Sequence, residues 1–230
     1  RFLTAPSKVW ILITAMFPLD FSQEAIDRIV PKVGESLFIA WAGTVIGAFF
    51  SFPIAFLAAN NFSLNTFSRV TKQILNVIRA FPELILAFVL LPITGLGPLT
   101  GTLAVGIHSI GTLGKLSSEV IEGIDEGPLE SIKSSGGSKL NELFFGVIPQ
   151  VMPTITSYWL YRFEINLRAS AVLGVVGAGG VGAELINQLR FRDFPRAGTV
   201  LVVTIVMVLI VDAISAAIRR RIIKGRDIKV

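Results

Sequence analysis

The chain has no cysteine and a single histidine, His108, in 230 residues. Disulfides and thiolate metal sites are therefore excluded, and no H-E-x-x-H or similar metal-ligating cluster occurs. Charge is scarce as well. Asp, Glu, Lys and Arg make up 16% of the chain, against about 25% in a typical soluble domain. The P-loop pattern G-x-x-x-x-G-K-[ST] is also unmet: Leu116 follows Gly114-Lys115, and Ser109 stands where the first glycine belongs. Hydrolysis of ATP by a P-loop of this chain is thereby excluded.

Apolar text fills the place of charge. Hydrophobic residues reach 52% and the mean hydropathy is +0.70. They collect in long runs rather than at the period of a soluble helix or strand. Leu37–Ala59 carries 23 residues without a charge, Leu84–Gly114 carries 31, and Leu143–Tyr161 carries 19. Ala197–Ile218 carries 22, interrupted only by Asp212. A hydrocarbon core about 30 Å thick needs roughly 20 apolar residues of helix. The pattern predicts an all-α, polytopic membrane protein.

Five spans are expected: helix A over 34–60, B over 70–92, C over 98–122, D over 143–168 and E over 197–220. The 31-residue run is divided at Pro92, Gly95, Gly97 and Pro98, which are turn residues. Residues 1–33 are read as an extracytoplasmic or interfacial segment, 34–221 as the membrane domain and 222–230 as a basic tail. Six of the last twelve residues are basic. By the positive-inside rule the tail lies in the cytoplasm, together with the hydrophilic loop 123–142. Residues 169–196 then lie outside, where Arg190, Arg192 and Arg196 obey the rule poorly. The net charge of +5 reads as topology, and nucleic acid is not an expected partner.

The segment VVGAGGVG (175–182) matches the G-x-G-x-x-G fingerprint of dinucleotide-binding folds through Gly177, Gly179 and Gly182. That motif requires a preceding strand and an acidic residue about 20 positions on. Here it sits between two membrane spans, and Glu184 and Asp193 are misplaced for the role. Gly177, Gly179, Gly180 and Gly182 are instead expected to form a tightly packed re-entrant turn. A dehydrogenase is disfavoured, and no cofactor is expected on this chain.

Charges inside spans mark pathways or buried pairs. Arg162, Glu164 and Arg168 fall late in helix D. Glu164 and Arg168 stand at i,i+4 and are expected to pair, which leaves Arg162 freer to line an anion path. The alternative is that all three snorkel at the outer interface. His108 lies mid-span, either on that path or hydrogen-bonded in the packing. Arg79 with Glu83, and Lys115 with Glu119, share helix faces at i,i+4. Asp212 needs a basic partner that the sequence does not name.

The cytoplasmic loop holds Glu130-Ser131-Ile132-Lys133-Ser134-Ser135-Gly136, and Pro149 follows thirteen residues after Gly136. This resembles E-A-A-x-x-x-G-x9-I-x-L-P, the ATPase-coupling motif of ABC importer permeases. Both alanines are replaced, and Gly146 and Ile148 stand for Ile and Leu. With RAFPEL (79–84), residues 96–140 and 146–182 and the terminal ISAAIRRR, the chain resembles the permease subunit of the phosphonate-uptake ABC importer family over about residues 34–221. Members carry a further N-terminal span. This chain begins at Arg1 rather than Met, so that span is expected to be missing.

The resemblance implies a type I importer permease fold in a bacterial inner membrane, with no chemistry on this chain. It implies a second permease copy, in a homodimer, two ABC ATPase subunits holding ATP and Mg, and an extracytoplasmic phosphonate-type binding protein. It implies that Glu130, Ser131, Lys133, Ser134, Ser135, Gly136, Gly137 and Pro149 form the coupling knob, a short helix, a glycine turn and a second short helix. Glu130 has the alternative of a solvated charge. A self-sufficient secondary transporter or channel for a small anion is the rival reading. It would show inverted repeats, which this sequence does not.

Overall fold

The computed structural model describes residues 5–227, with side chains over 10–222. Lys224, Arg226 and Lys229 of the expected basic tail lie outside the residues whose side chains are described. Every regular element among the described residues is a helix. In chain order these are α1 (Ala5–Met16), α2 (Gln23–Ala58), α3 (Asn65–Ala80), α4 (Glu83–Thr94), α5 (Pro98–Glu122), α6 (Gly127–Ser134) and α7 (Lys139–Asn141). A π-helical turn (Glu142–Val147) leads into α8 (Ile148–Leu173), a 3-10 turn (Gly174–Val176) follows, and α9 (Gly180–Arg190) and α10 (Phe194–Asp227) complete the chain.

Three stretches are long and apolar enough to cross a membrane: Gln23–Ala58, Lys139–Arg190 and Phe194–Ile222. A fourth is added if α3 and α4 are one broken span. Five were expected, and α5 accounts for the difference. It has 25 residues, but Thr100, Thr102, Ser109, Ser117 and Ser118 are buried along it. A helix sheathed by other helices has no need of an apolar, lipid-facing surface.

The expected single helix over 70–92 is two, bent by 86°. Pro82 is the cause. It has no N–H to give, and it pushes the residue before it out of helical geometry. Phe81 accordingly adopts φ −78°, ψ 121°. Arg79 and Glu83 therefore do not share a helix face. Lys115 and Glu119 do, with 3.0 Å between Nζ and Oε1.

The chain forms two compact units. The first takes residues up to Ala42, Glu83–Val105 and Glu164–Asp212. Its core joins Ala87, Ala104, Val105, Leu173 and Ala178. The glycine string closes α8 against α9 within it. A Cβ on Gly182 would overlap the Ala171 carbonyl oxygen, and one on Gly174 would overlap the backbone of Gly182 and Ala183. The α1–α2 connector docks here as well. Arg196 Nε donates to Asp20 Oδ2 at 2.9 Å, its Nη2 donates to Glu24 Oε2 at 3.0 Å, and Thr199 Oγ1 donates to the Asp20 carbonyl at 2.9 Å.

The second unit takes Gly43–Pro82, Gly106–Phe163 and the chain from Ala213. Its core joins Ala55, Ala59, Ile121, Val147, Val151 and Ile155, overlaid by Phe52, Phe56, Leu129, Leu143 and Trp159. Phe52 meets the rings of Phe56 and Trp159 edge-on. The α2–α3 turn is tied to the end of α5: Asn60 N–H donates to Glu122 Oε1 at 2.7 Å, and Asn61 Nδ2 donates to the Ile121 carbonyl at 2.8 Å.

Two outcomes are expected. Gly182→Ala should cost about 1–3 kcal/mol through overpacking, read as a lower melting temperature in detergent; an unchanged melting temperature would show that the α8–α9 turn repacks freely. The Arg196 hydrogen bond holds the Asp20 carboxyl below the ordinary carboxylate value, helped by the Ser22 N–H. A lowered folded-state value stabilises above the ordinary value of about 4 and is lost as pH falls through the lowered one. Amide protection over residues 17–24, taken relative to the intrinsic exchange rate at each pH, should hold at neutral pH and fall only in that acid window. Arg196→Gln should lower that protection at neutral pH, and identical protection in the two proteins would remove the ion pair as the cause.

Candidate functional site

The loop expected to couple to an ATPase folds as a capped knob. Asp125 Oδ1 accepts the Gly127 N–H at 3.0 Å and opens α6, with Pro128 in its first turn. Leu129 and Ile132 turn inward to within 3.2 and 3.3 Å of the Cβ position of Gly146. Glu130, Ser131, Lys133, Ser134, Ser135 and Gly136 are exposed, and Gly137 is half-buried. The helix ends in a Schellman motif: Gly137 N–H donates to the Ile132 carbonyl at 2.9 Å and Gly136 N–H to the Lys133 carbonyl at 3.0 Å. Gly136 has φ +77°, the left-handed conformation that the motif demands, and a Cβ on Gly137 would strike Ile132.

The knob is fastened to α8 by a residue that the sequence analysis did not single out. Gln150 Oε1 accepts the Asp125 N–H at 3.0 Å, and its Nε2 donates to the Asp125 carbonyl at 3.1 Å and to the Gly146 carbonyl at 2.9 Å. The π-helical turn just before it follows from Pro149, whose ring lacks an N–H and crowds the carbonyl four residues back. Gly146 is buried where the motif has an apolar side chain, which is what lets α6 lie against this turn. The glycine at 146, one turn ahead of an amide side chain, was the available signal.

A buried polar cluster lies in the same unit. Arg162 on α8 is 4% exposed. Its Nε donates to Ser109 Oγ at 2.9 Å and its Nη2 donates to His108 Nδ1. A guanidinium can only donate, so His108 Nδ1 accepts and the ring proton resides on Nε2. That proton reaches the Arg79 carbonyl at 3.2 Å, near the C-terminus of α3, where helix carbonyls lack partners. Of the four expected path residues, Arg162 and His108 therefore meet.

Glu164 and Arg168 belong to the other unit, and the expected ion pair between them does not form. Glu164 is turned inward, 6% exposed. Arg168 points outward and pairs with Asp212 of α10 at 2.6 Å, with the two side chains 50% and 33% exposed. An acid on a neighbouring helix displaces the acid one turn away. This also supplies the partner that Asp212 required.

The glycine string is a turn between helices. Gly177, Gly179 and Gly180 have φ of +82°, +81° and +72°, and Gly177 accepts the Gly97 N–H at 2.9 Å. The N-terminus of α9 is occupied by the chain itself: Ser36 Oγ accepts the Val181 N–H at 3.0 Å, and the Glu35 carboxylate lies against Gly179. A helix precedes the glycines where a dinucleotide site needs a strand, and the phosphate position is filled.

The α9–α10 corner completes the polar features. Asp193 N–H donates to the Gln188 carbonyl at 2.9 Å and Arg192 N–H to the Leu189 carbonyl at 3.2 Å, a second Schellman motif. Its left-handed position holds Arg192, φ +60°, instead of glycine, at a cost of about 1–2 kcal/mol. Arg196, expected as an unexplained outer charge, is held by Asp20, Glu24 and Asp193.

Residues 51–224 match the family described as the inner membrane component of binding-protein-dependent transport systems. A phosphite transport system permease protein of Stutzerimonas stutzeri is 40% identical over 187 residues, 81% of this chain and 68% of the relative. A phosphate-import permease protein of Mycolicibacterium smegmatis is 39% identical over 213 residues, 92% of this chain and 40% of the relative. Among solved structures, a chain of the methionine ABC transporter MetNI in inward-facing conformations superposes with a TM-score of 0.73 at 20% identity, over 88% of this chain and 99% of that one. That likeness identifies the fold, an ABC importer permease fold of type I. The match runs from within α2 to within α10, and by it the chain belongs to the family of inner membrane components of binding-protein-dependent transport systems.

Proposed function

We propose that this chain is the permease subunit of an ABC importer that carries phosphonate or a related phosphorus oxyanion into a bacterial cell. The knob carries the reading. It is an exposed helix with Glu130 at its surface, ended by Gly136 and braced to α8 through Gln150. Such a knob suits docking in the groove of an ATPase, and its brace suits passing the ATPase's closure to α8 as a rigid-body motion. Two ATPase subunits then bind ATP and Mg, and a second permease copy completes the pathway. A binding protein delivers the oxyanion from outside. The ligand class rests on the two relatives' names, phosphite and phosphate, and on the resemblance to phosphonate permeases. In this reading the chain lies in the inner membrane with the knob and the C-terminal tail in the cytoplasm.

Arg162, with His108 and Ser109, is the candidate for a basic step on the path. Arg168, paired with Asp212, serves structure.

The test is purification from native membranes in gentle detergent. A P-loop ATPase should co-purify, and Glu130→Ala with Gly136→Ala should release it. The assembled transporter in liposomes should take up labelled phosphite, methylphosphonate or phosphate only with ATP. A chain that purifies alone and moves these anions without ATP would be a secondary transporter, and the proposal would fall. Gln150→Leu should leave the ATPase bound, because it alters no exposed knob residue. With three hydrogen bonds removed, uptake per ATP should drop roughly tenfold. Unchanged coupling would mean that the brace transmits nothing.

A further inference from the structure

The corner between α9 and α10 presents Arg190, Phe191 and Arg192 in sequence. Phe191 is 82% exposed, and both arginines are exposed. Neither guanidinium makes a hydrogen bond or an ion pair among the described residues. The next basic residue behaves otherwise: Arg196 is committed to Asp20, Glu24 and Asp193. Two uncommitted cations thus flank one bare aromatic ring on a corner whose remaining charges are neutralised internally.

The corner is also rigid. The Schellman motif ends α9 at Arg192, and the Asp193 carboxylate then caps α10 by accepting the Arg196 N–H at 3.2 Å. Arg196 fastens the start of α10 to the α1–α2 connector. Position 192 has a left-handed backbone for which glycine is the unstrained choice. An arginine stands there nonetheless, with φ +60° and its side chain turned to the surface. The location adds to this. In the proposed topology α8 leads away from the cytoplasmic knob and α10 leads back to the tail, so the corner is external, where unpaired basic residues run against the usual bias.

We infer that the Arg190–Phe191–Arg192 corner is the docking point for an acidic, partly apolar surface of the extracytoplasmic binding protein. The inference rests on the importer reading. Arginine and aromatic residues dominate the binding energy of protein interfaces, and a backbone fixed in advance spares the ordering cost of association. Anionic lipid headgroups reward charge near the surface but gain nothing from a strained, rigid display, so the protein partner is the better fit.

The experiment uses the whole transporter, purified from native membranes with its ATPase and placed in phosphatidylcholine nanodiscs. The probe is the binding protein that co-purifies with it, labelled and loaded with methylphosphonate or phosphite. Arg190→Glu with Arg192→Glu should weaken its docking about tenfold or more and flatten the salt dependence of affinity. Phe191→Ala should weaken it about tenfold. Arg192→Gly relieves the backbone, so its melting temperature should hold or rise while docking still weakens; misfolding cannot imitate that combination. Wild-type affinity in the charge-reversed variant, with the ATPase still bound, would overturn the inference and leave the importer reading intact. Variants that alter only partition into phosphatidylglycerol nanodiscs would overturn it in favour of a lipid contact. A wild-type transporter that holds its ATPase but engages no binding protein would overturn the inference together with the binding-protein part of the reading.

Discussion

A helix that stops or widens away from water leaves carbonyl and amide groups that only protein can satisfy. The architecture of this chain is organised around that requirement. At the end of α3 the Arg79 carbonyl receives the Nε2 proton of His108. At the π-helical turn the Gly146 carbonyl receives the Gln150 amide. At the start of α9 the Val181 N–H is taken by Ser36, and the glycine turn before it accepts the Gly97 N–H. Each interruption is closed by a group from a different helix or turn, or by a side chain one turn on. Each closure therefore also fixes the relation between the segments it joins.

The interruptions coincide with the features to which function is assigned. The π-helical turn is where the knob is braced, and the end of α3 is where His108, itself held by Arg162, reaches a backbone carbonyl. A broken helix offers a transporter what an unbroken one cannot, namely backbone and side chains that change partners without unwinding a whole span. Beside these breaks, α8 and α10 carry their own polar pair, Arg168 with Asp212.

How much of this is legible in the sequence depends on the range of the interaction. The apolar runs announce the helices, and the motif Glu130–Gly136 announces the knob, because both are local. The glycine string is readable once its setting is weighed, since membrane spans on either side leave no strand to precede it. The α3–α4 break is also local, in Phe81-Pro82, yet continuous apolarity on the C-terminal side of the break conceals it. Arg168 and Asp212 lie 44 residues apart, and no periodicity within α8 predicts that an acid on α10 outcompetes Glu164. Gln150 is hidden for a related reason: its partners at Asp125 are set by the fold of the knob, which hydropathy does not describe. Arg192 was legible as a misplaced charge but not as a strained one, because backbone strain has no compositional signature.

The Arg168–Asp212 pair has a consequence for biogenesis. A lone acid near the middle of an apolar helix raises the cost of its entry into lipid by about 2.5–3.5 kcal/mol. α10 carries such an acid, and its partner lies on α8, which leaves the ribosome earlier. The last helix is thus easiest to insert beside a segment already in place, because the bond that holds the finished subunit also compensates the charge. A nascent chain in which α8 is misplaced would present α10 to the membrane with its charge uncompensated.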